Sequence, residues 1–228
     1  MNFIEHHGHE VIDMGPRNWL YEDGRELYKL DGIEKADTII DLGACFGGFT
    51  LMAYEVAPTK SFVAVEPVWY DILQINMEKN NVPCRVWAGA IAHPKDEKGW
   101  ALMDWDGRAI YSRKLAMKEI LKVAEGKDRK VFLKCDIEMG EWNLQPEDFT
   151  NVIRVEIEIH NLHTKQSGTF IQHNPELVAF LEETYFIEAE DNVIATADGA
   201  AKVFHMYRKD TFPEKENVAG PVSKFLGV

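Results

Sequence analysis

An α/β domain with an open, mostly parallel sheet and helices on both faces is what this sequence predicts, on three observations. Three apolar residues, Ile39, Ile40 and Leu42, lead into a stretch of small residues, Gly43, Ala44, Cys45, Gly47 and Gly48 around Phe46, which a helical apolar pattern follows. The next apolar run, Phe62-Val63-Ala64-Val65, ends on an acid, Glu66, before a second helical pattern. Near its end the chain offers a helix followed by short β-like runs around the turn Ala197-Asp198-Gly199.

Taken in order, residues 1–36 mix histidines with turn signals at Gly8, Gly15-Pro16, Asp23-Gly24 and Asp31-Gly32. They read as an N-terminal cap ahead of the main domain at 37–209, with a strand or hairpin over 19–30. Phe49, Met52, Ala53 and Val56 recur at helical spacing until Pro58 stops them. Val68, Trp69, Ile72 and Leu73 open the next helix, which Asn80-Asn81 and Pro83 end. A third strand is expected over 85–90, an outer strand over 99–105 and a helix over 114–124. Residues 131–135 and 152–160 supply two central strands. Asn174-Pro175 opens a helix with Leu177, Val178, Phe180 and Leu181 on its core side. Strands are expected again at 186–190, 193–196 and 202–207. Residues 163–169 form a polar loop or lid, and 210–228 a surface arm whose Phe225 and Leu226 are placed to touch the body or a second copy of the chain.

The glycine turn selects among nucleotide-like ligands. A strand ending in such a turn at a helix N-terminus presents backbone N–H groups and the positive end of a helix dipole where no side chain obstructs. The dinucleotide pattern GxGxxG is absent, because Ala44-Cys45 follows Gly43 and leaves no second glycine to admit a pyrophosphate. That disfavours an NAD-linked oxidoreductase. A phosphate loop ending in Gly-Lys is also absent. Asp41, Gly43 and Gly47, with Glu66 one strand later to accept from ribose hydroxyls, fit S-adenosylmethionine, which has a ribose and no phosphate.

These segments resemble the FkbM-type class I methyltransferases. The likeness rests on IIDLGACFGGFT (39–50), FVAVEPVWYDILQINMEKNNV (62–82), WAGAIA (87–92), VFLKCDIEMGEW (131–142) and VIRVEIEIH (152–160). It implies a Rossmann-like class I methyltransferase sheet, mostly parallel with an antiparallel last strand, and S-adenosylmethionine as cofactor, held by Asp41, Gly43, Ala44, Cys45, Gly47, Glu66, Pro67, Ala90 and Asp136. Asp136 would lie beside the methionine part. Where the family reads D-[IV]-E-G-A-E, this chain has Met139 and Gly140, so a differently shaped turn is expected after Glu138.

Composition excludes several classes. With 25 Lys and Arg against 38 Asp and Glu, the net charge of −13 repels polyanions and disfavours nucleic acid as substrate. The densest basic group, Arg108, Arg113, Lys114, Lys118 and Lys122, places its last three members on one face of the expected helix, a solvated surface. No apolar run approaches the roughly 18 residues of a membrane span, and the opening residues are histidine and acid-rich, so cytoplasmic residence is expected. Cys45, Cys84 and Cys135 show no paired spacing and read as reduced thiols. His6, His7 and His9, lacking an acid at fixed spacing, read as exposed and mobile rather than as a metal tract.

The chemistry is expected where the central strands end. Asp136, Glu138 and Glu141 follow one strand; along the next, Arg154, Glu156, Glu158 and His160 alternate with Val155, Ile157 and Ile159. Three readings stand open. Glu158 or His160 could take the proton from a small-molecule hydroxyl during methyl transfer, with Glu138 nearby. Asp136, Glu138, Glu158 and His160 could hold a divalent ion such as Mg²⁺. Or the acids and Arg154 brace the sheet. Trp100, Trp105 and Tyr111 are candidate pocket walls.

Overall fold

The computed structural model describes residues 1–92, 100–105, 108–123, 129–138, 140–160, 174–190, 194–196 and 199–215. In chain order these form strands β1 (Phe3–His6) and β2 (His9–Ile12), helix α1 (Trp19–Glu26), β3 (Thr38–Leu42), α2 (Gly48–Val56), β4 (Ser61–Glu66), α3 (Tyr70–Lys79), β5 (Cys84–Ala88) and β6 (Ala90–Ile91). Then come β7 (Trp100–Trp105), β8 (Arg108–Leu115), α4 (Met117–Val123), β9 (Val131–Cys135), β10 (Val152–Ile159), α5 (Pro175–Thr184), β11 (Tyr185–Ala189), β12 (Ile194–Thr196) and β13 (Gly199–Arg208).

The main sheet runs β11-β13-β10-β9-β3-β4-β5, with β12 attached to β13. Strands β5, β4, β3, β9 and β10 pair in parallel, and β13 lies antiparallel between β10 and β11. The open, mostly parallel sheet with an antiparallel last strand is as expected. Every residue of β3, β9 and β10 is buried, as strands covered on both faces must be. The two faces separate by pleat. Ile39, Phe62 and Phe132 pack with Phe49, Met52 and Ala53 of α2. Ile40, Val63 and Leu133 pack with Met117 and Ile120 of α4 and Leu177 and Leu181 of α5. Asn174 caps α5, its side chain accepting from Leu177 N, ahead of Pro175 at the first helical position.

Several expectations are corrected. Residues 19–26 are helical, and the hairpin lies upstream, turning at His7 (φ 49°) and Gly8 (φ 83°). Two consecutive left-handed residues are the geometry of a primed hairpin turn, which only Gly8 had signalled. Helix α1 survives an internal Gly24 because its apolar side is held: Tyr21 packs 5.3–5.4 Å from the rings of His6 and Phe46 and its hydroxyl donates to Ile12 O. The strand expected over 85–90 is two, β5 and β6. Lys114 belongs to β8, so it does not share a helical face with Lys118 and Lys122. Phe212 is buried against Tyr207, so the arm expected from 210 begins as packed chain. The lid at 163–169, the turn at Ala197-Asp198, Met139, Phe225 and Leu226 lie outside the described residues. Among the described residues, no helix is long and apolar enough to cross a membrane.

Candidate functional site

The turn after β3 is shaped by close approach of its neighbours. Gly43 has φ 72°, and a Cβ there would run into the carbonyl of Asp136, so the position excludes any other residue. Gly47, φ 95°, is bare because Met77 and Leu73 of α3 close over it. Cys45 is also left-handed, φ 50°, which aims its amide at Glu66 across 2.8 Å. The other oxygen of Glu66 accepts from Val68 N (2.6 Å) and Trp69 N (3.0 Å). A carboxylate has about four acceptor positions, so three amides leave one for a ligand. Glu66 is thus a clamp between the glycine turn and the start of α3. Burial lifts its pKa above the usual carboxylate value, and the three amides and Lys134 oppose that lift.

Asp41 lies beneath the turn rather than on it. It is 1% exposed, accepts from the Thr50 hydroxyl at 2.6 Å and pairs with Lys134 Nζ at 3.3 Å. Lys134 was given no part by sequence reading, its charge lost inside the apolar run VFLKC. Its ammonium donates to Gly43 O at 2.8 Å and reaches Asp136 at 3.7 Å. Burial lowers its pKa, but Asp41 and Asp136 outweigh that and the net shift is upward, so it stays charged. One buried cation therefore joins the glycine turn to the end of β9. The thiol of Cys45 is pushed up by burial and by Glu66, so it is no nucleophile.

Ala44 is buried, Pro67 half-buried beyond Glu66, and Ala90 9% exposed. Gly89 is bare because Leu115 and the Arg113 carbonyl of β8 press on it. Tyr111 is 72% exposed, and the side chains of Trp100 and Trp105 lie outside the described residues.

The acidic cluster divides in two. Arg154 and Glu156 form a fully buried ion pair, Glu156 accepts from His205 Nδ1 at 2.6 Å, and His205 Nε2 meets Glu190 at 2.7 Å. That half is the sheet brace. Nearer the carboxyl edge, His160 Nε2 lies 3.8 Å from Asp136, 3.4 Å from Glu138 and 3.6 Å from Glu158. Its Nδ1 and its backbone N both meet Glu141 Oε1, at 3.2 and 2.6 Å. Burial lowers the His160 pKa, but its bond to Glu141 and the charges of Glu141, Asp136 and Glu138 carry it up to about 10. The Glu158 pKa also rises: burial first, then Asp136, raise it to about 7, against His160 and Lys134.

A further member comes from the cap. The Tyr28 hydroxyl donates to Asp136 Oδ2 at 3.0 Å and faces Glu158 Oε2 at 3.3 Å. One hydroxyl hydrogen serves one carboxylate at a time, so both contacts hold when Glu158 carries a proton. Nothing in the local sequence marks Tyr28; it is found only once the cap is folded over the sheet edge.

No protein-family model and no curated protein matches the sequence. Solved structures with similar architecture include WbdD, described as a bifunctional kinase-methyltransferase (10% identity, 83% of this chain and 39% of that one, TM-score 0.48). Others are an O-methyltransferase from Bacillus cereus in complex with SAH (13% identity, 86% and 83%, TM-score 0.48) and precorrin-6y C5,15-methyltransferase from Geobacter metallireducens GS-15 (10% identity, 90% and 97%, TM-score 0.47). The chain spans about two fifths of WbdD. What the site can do is read from its own geometry.

Proposed function

We propose that the chain is an S-adenosylmethionine-dependent methyltransferase of FkbM type that methylates a hydroxyl of a small molecule. The observation that carries this is the joining of two sites at one sheet edge: Lys134 binds both the Gly43 carbonyl and Asp136, and Asp136 meets the Tyr28, Glu158 and His160 group. Gly43, Ala44, Cys45, Gly47, Glu66, Pro67 and Ala90 would hold the cofactor, with Asp136 at its methionine end and Asp41 supporting the turn from below. The bare turn and the one acceptor position left on Glu66 fit an adenosyl group.

S-adenosylmethionine supplies an electrophilic methyl group when bound. The chain's own part is alignment and proton removal. Glu158, with a pKa of about 7, is the base in this reading, and Tyr28 orients it. His160, whose pKa of about 10 keeps it protonated at neutral pH, orients the acids and balances their charge instead of accepting the proton. Glu138, 47% exposed in its side chain, stands at the mouth as the acceptor's hydrogen-bond partner.

A second reading has one observation in its favour. Glu141 fixes His160 Nδ1 and leaves Nε2 turned to Asp136 and Glu138, the orientation a metal-binding imidazole takes; these three offer ligand atoms within 4.8 Å of one another. The deciding experiment is transfer of label from labelled S-adenosylmethionine to a panel of hydroxylated small molecules, with and without chelator. Cofactor binding without transfer to any acceptor would favour a binding protein, and loss of transfer on chelation would favour the metal reading.

A further inference from the structure

A second cluster lies in the cap, away from the sheet edge. We propose that His6, His7 and Glu22 bind a divalent transition-metal ion of the zinc type, which fastens the β1–β2 hairpin to helix α1.

His7 Nε2 is 3.1 and 3.2 Å from the two oxygens of Glu22, and His6 Nε2 is 3.5 Å from one of them. One ligand atom from each residue lies within 4.8 Å of the others. Bonds of about 2.0–2.2 Å to nitrogen and oxygen put tetrahedral neighbours about 3.3–3.6 Å apart, so these groups already stand near ligand spacing. The backbone explains how adjacent histidines come to share one point. Successive side chains of a strand face opposite ways, but His7 has left the strand with φ 49°. The two rings meet edge to face at 4.6 Å, and His6 also packs against the Tyr21 ring at 5.3 Å.

Two neutral imidazoles and one carboxylate are a borderline-soft set suited to zinc, cobalt or nickel rather than magnesium or calcium. The side chains of His7 and Glu22 are 46% and 43% exposed, which leaves room for water as a fourth ligand. His9 does not join: it is held by Glu55 at 2.6 Å. An ion here would tie the hairpin to the helix whose Tyr21 backbone leans on Gly48, the first residue of α2.

The test uses the full chain, stripped by chelator and titrated with zinc and with cobalt. One equivalent should bind, cobalt should give the intense visible absorption of a four-coordinate site, and zinc should raise the melting temperature. His7→Asn, which tolerates a left-handed backbone, and Glu22→Gln should each weaken zinc by about tenfold or more and abolish the rise. His160→Asn should leave both signals intact. Absence of a cobalt band, binding only at millimolar metal, or loss in His160→Asn with His7→Asn unaffected would each overturn the assignment.

Discussion

The hydroxyl of Tyr28 donates to Asp136 across 3.0 Å, so a residue of the N-terminal cap completes the polar group at the end of β9. Tyr28→Phe keeps the ring, and with it the edge contact to Phe49, but removes the hydroxyl that bonds Asp136 and faces Glu158. We expect turnover to fall roughly 10–100-fold with cofactor affinity changed far less, since a hydrogen bond to a charged group contributes about 1.5–3 kcal/mol. Separate measurement of kcat and of cofactor Kd checks it; an equal loss in both would place Tyr28 in the cofactor site.

Glu158 as base predicts a pH profile. Its pKa of about 7 means that the carboxylate, the active form, is formed as pH rises through 7, so the metal-free rate should climb across that region and then level. Glu158→Gln should abolish the rise. A rate that climbs only near pH 10 would hand the role to His160.

His160 leaves a signature in stability. Its folded pKa of about 10 lies above its ordinary 6.5, so its contribution is complete below pH 6.5 and is lost as pH climbs through 10. Glu158 acts earlier: an acid raised from 4.5 to about 7 makes the fold lose stability between those values and not beyond. Denaturant titrations at pH 5, 7 and 9 should show His160→Asn losing the alkaline decline and Glu158→Gln losing the acid-side one.

Glu66 has two duties, and its variants should separate them. Glu66→Gln retains an acceptor oxygen for one side of the clamp, whereas Glu66→Ala frees the amides of Cys45, Val68 and Trp69 together. Calorimetry with S-adenosylhomocysteine should find the Ala variant weaker by about 100-fold and the Gln variant intermediate, on an estimate of about 1.5–3 kcal/mol for each charged hydrogen bond lost. Unchanged binding in both would sink the adenosyl assignment.

Gly43→Ala tests the turn itself. The new methyl meets backbone, not a movable side chain, on a residue at φ 72°. We expect a loss of about 3 kcal/mol or more, or failure to fold, read by thermal melting.

The sheet was legible because its strands carry their own signal: VFLKC and VIRVEIEI are apolar or alternating, and breakers such as Pro58 and Asn80-Asn81 bound the helices between them. The glycine turn was legible for the same local reason. Lys134 was not, since one charge in an apolar strand has no periodicity to betray it and becomes meaningful only beside Asp41 and Asp136. Tyr28, Glu22 and Glu55 were missed because their partners are not local in sequence, and the histidines held by Glu22 and Glu55 looked free. Position also misled: Glu156 and Glu158 alternate alike on β10, yet one belongs to the Arg154 brace and the other faces Tyr28.

The cap is welded to what it covers. Tyr28, Ile33 and Ala36 share a core with Phe49 and Phe132, while Tyr21 leans its backbone on Gly48. Anyone trimming the gene to a smaller unit at residue 37 would uncover an oily wall along α2 and unseat the tyrosine that bonds Asp136 at one stroke. The first 36 residues should therefore be engineered as masonry rather than as a detachable door.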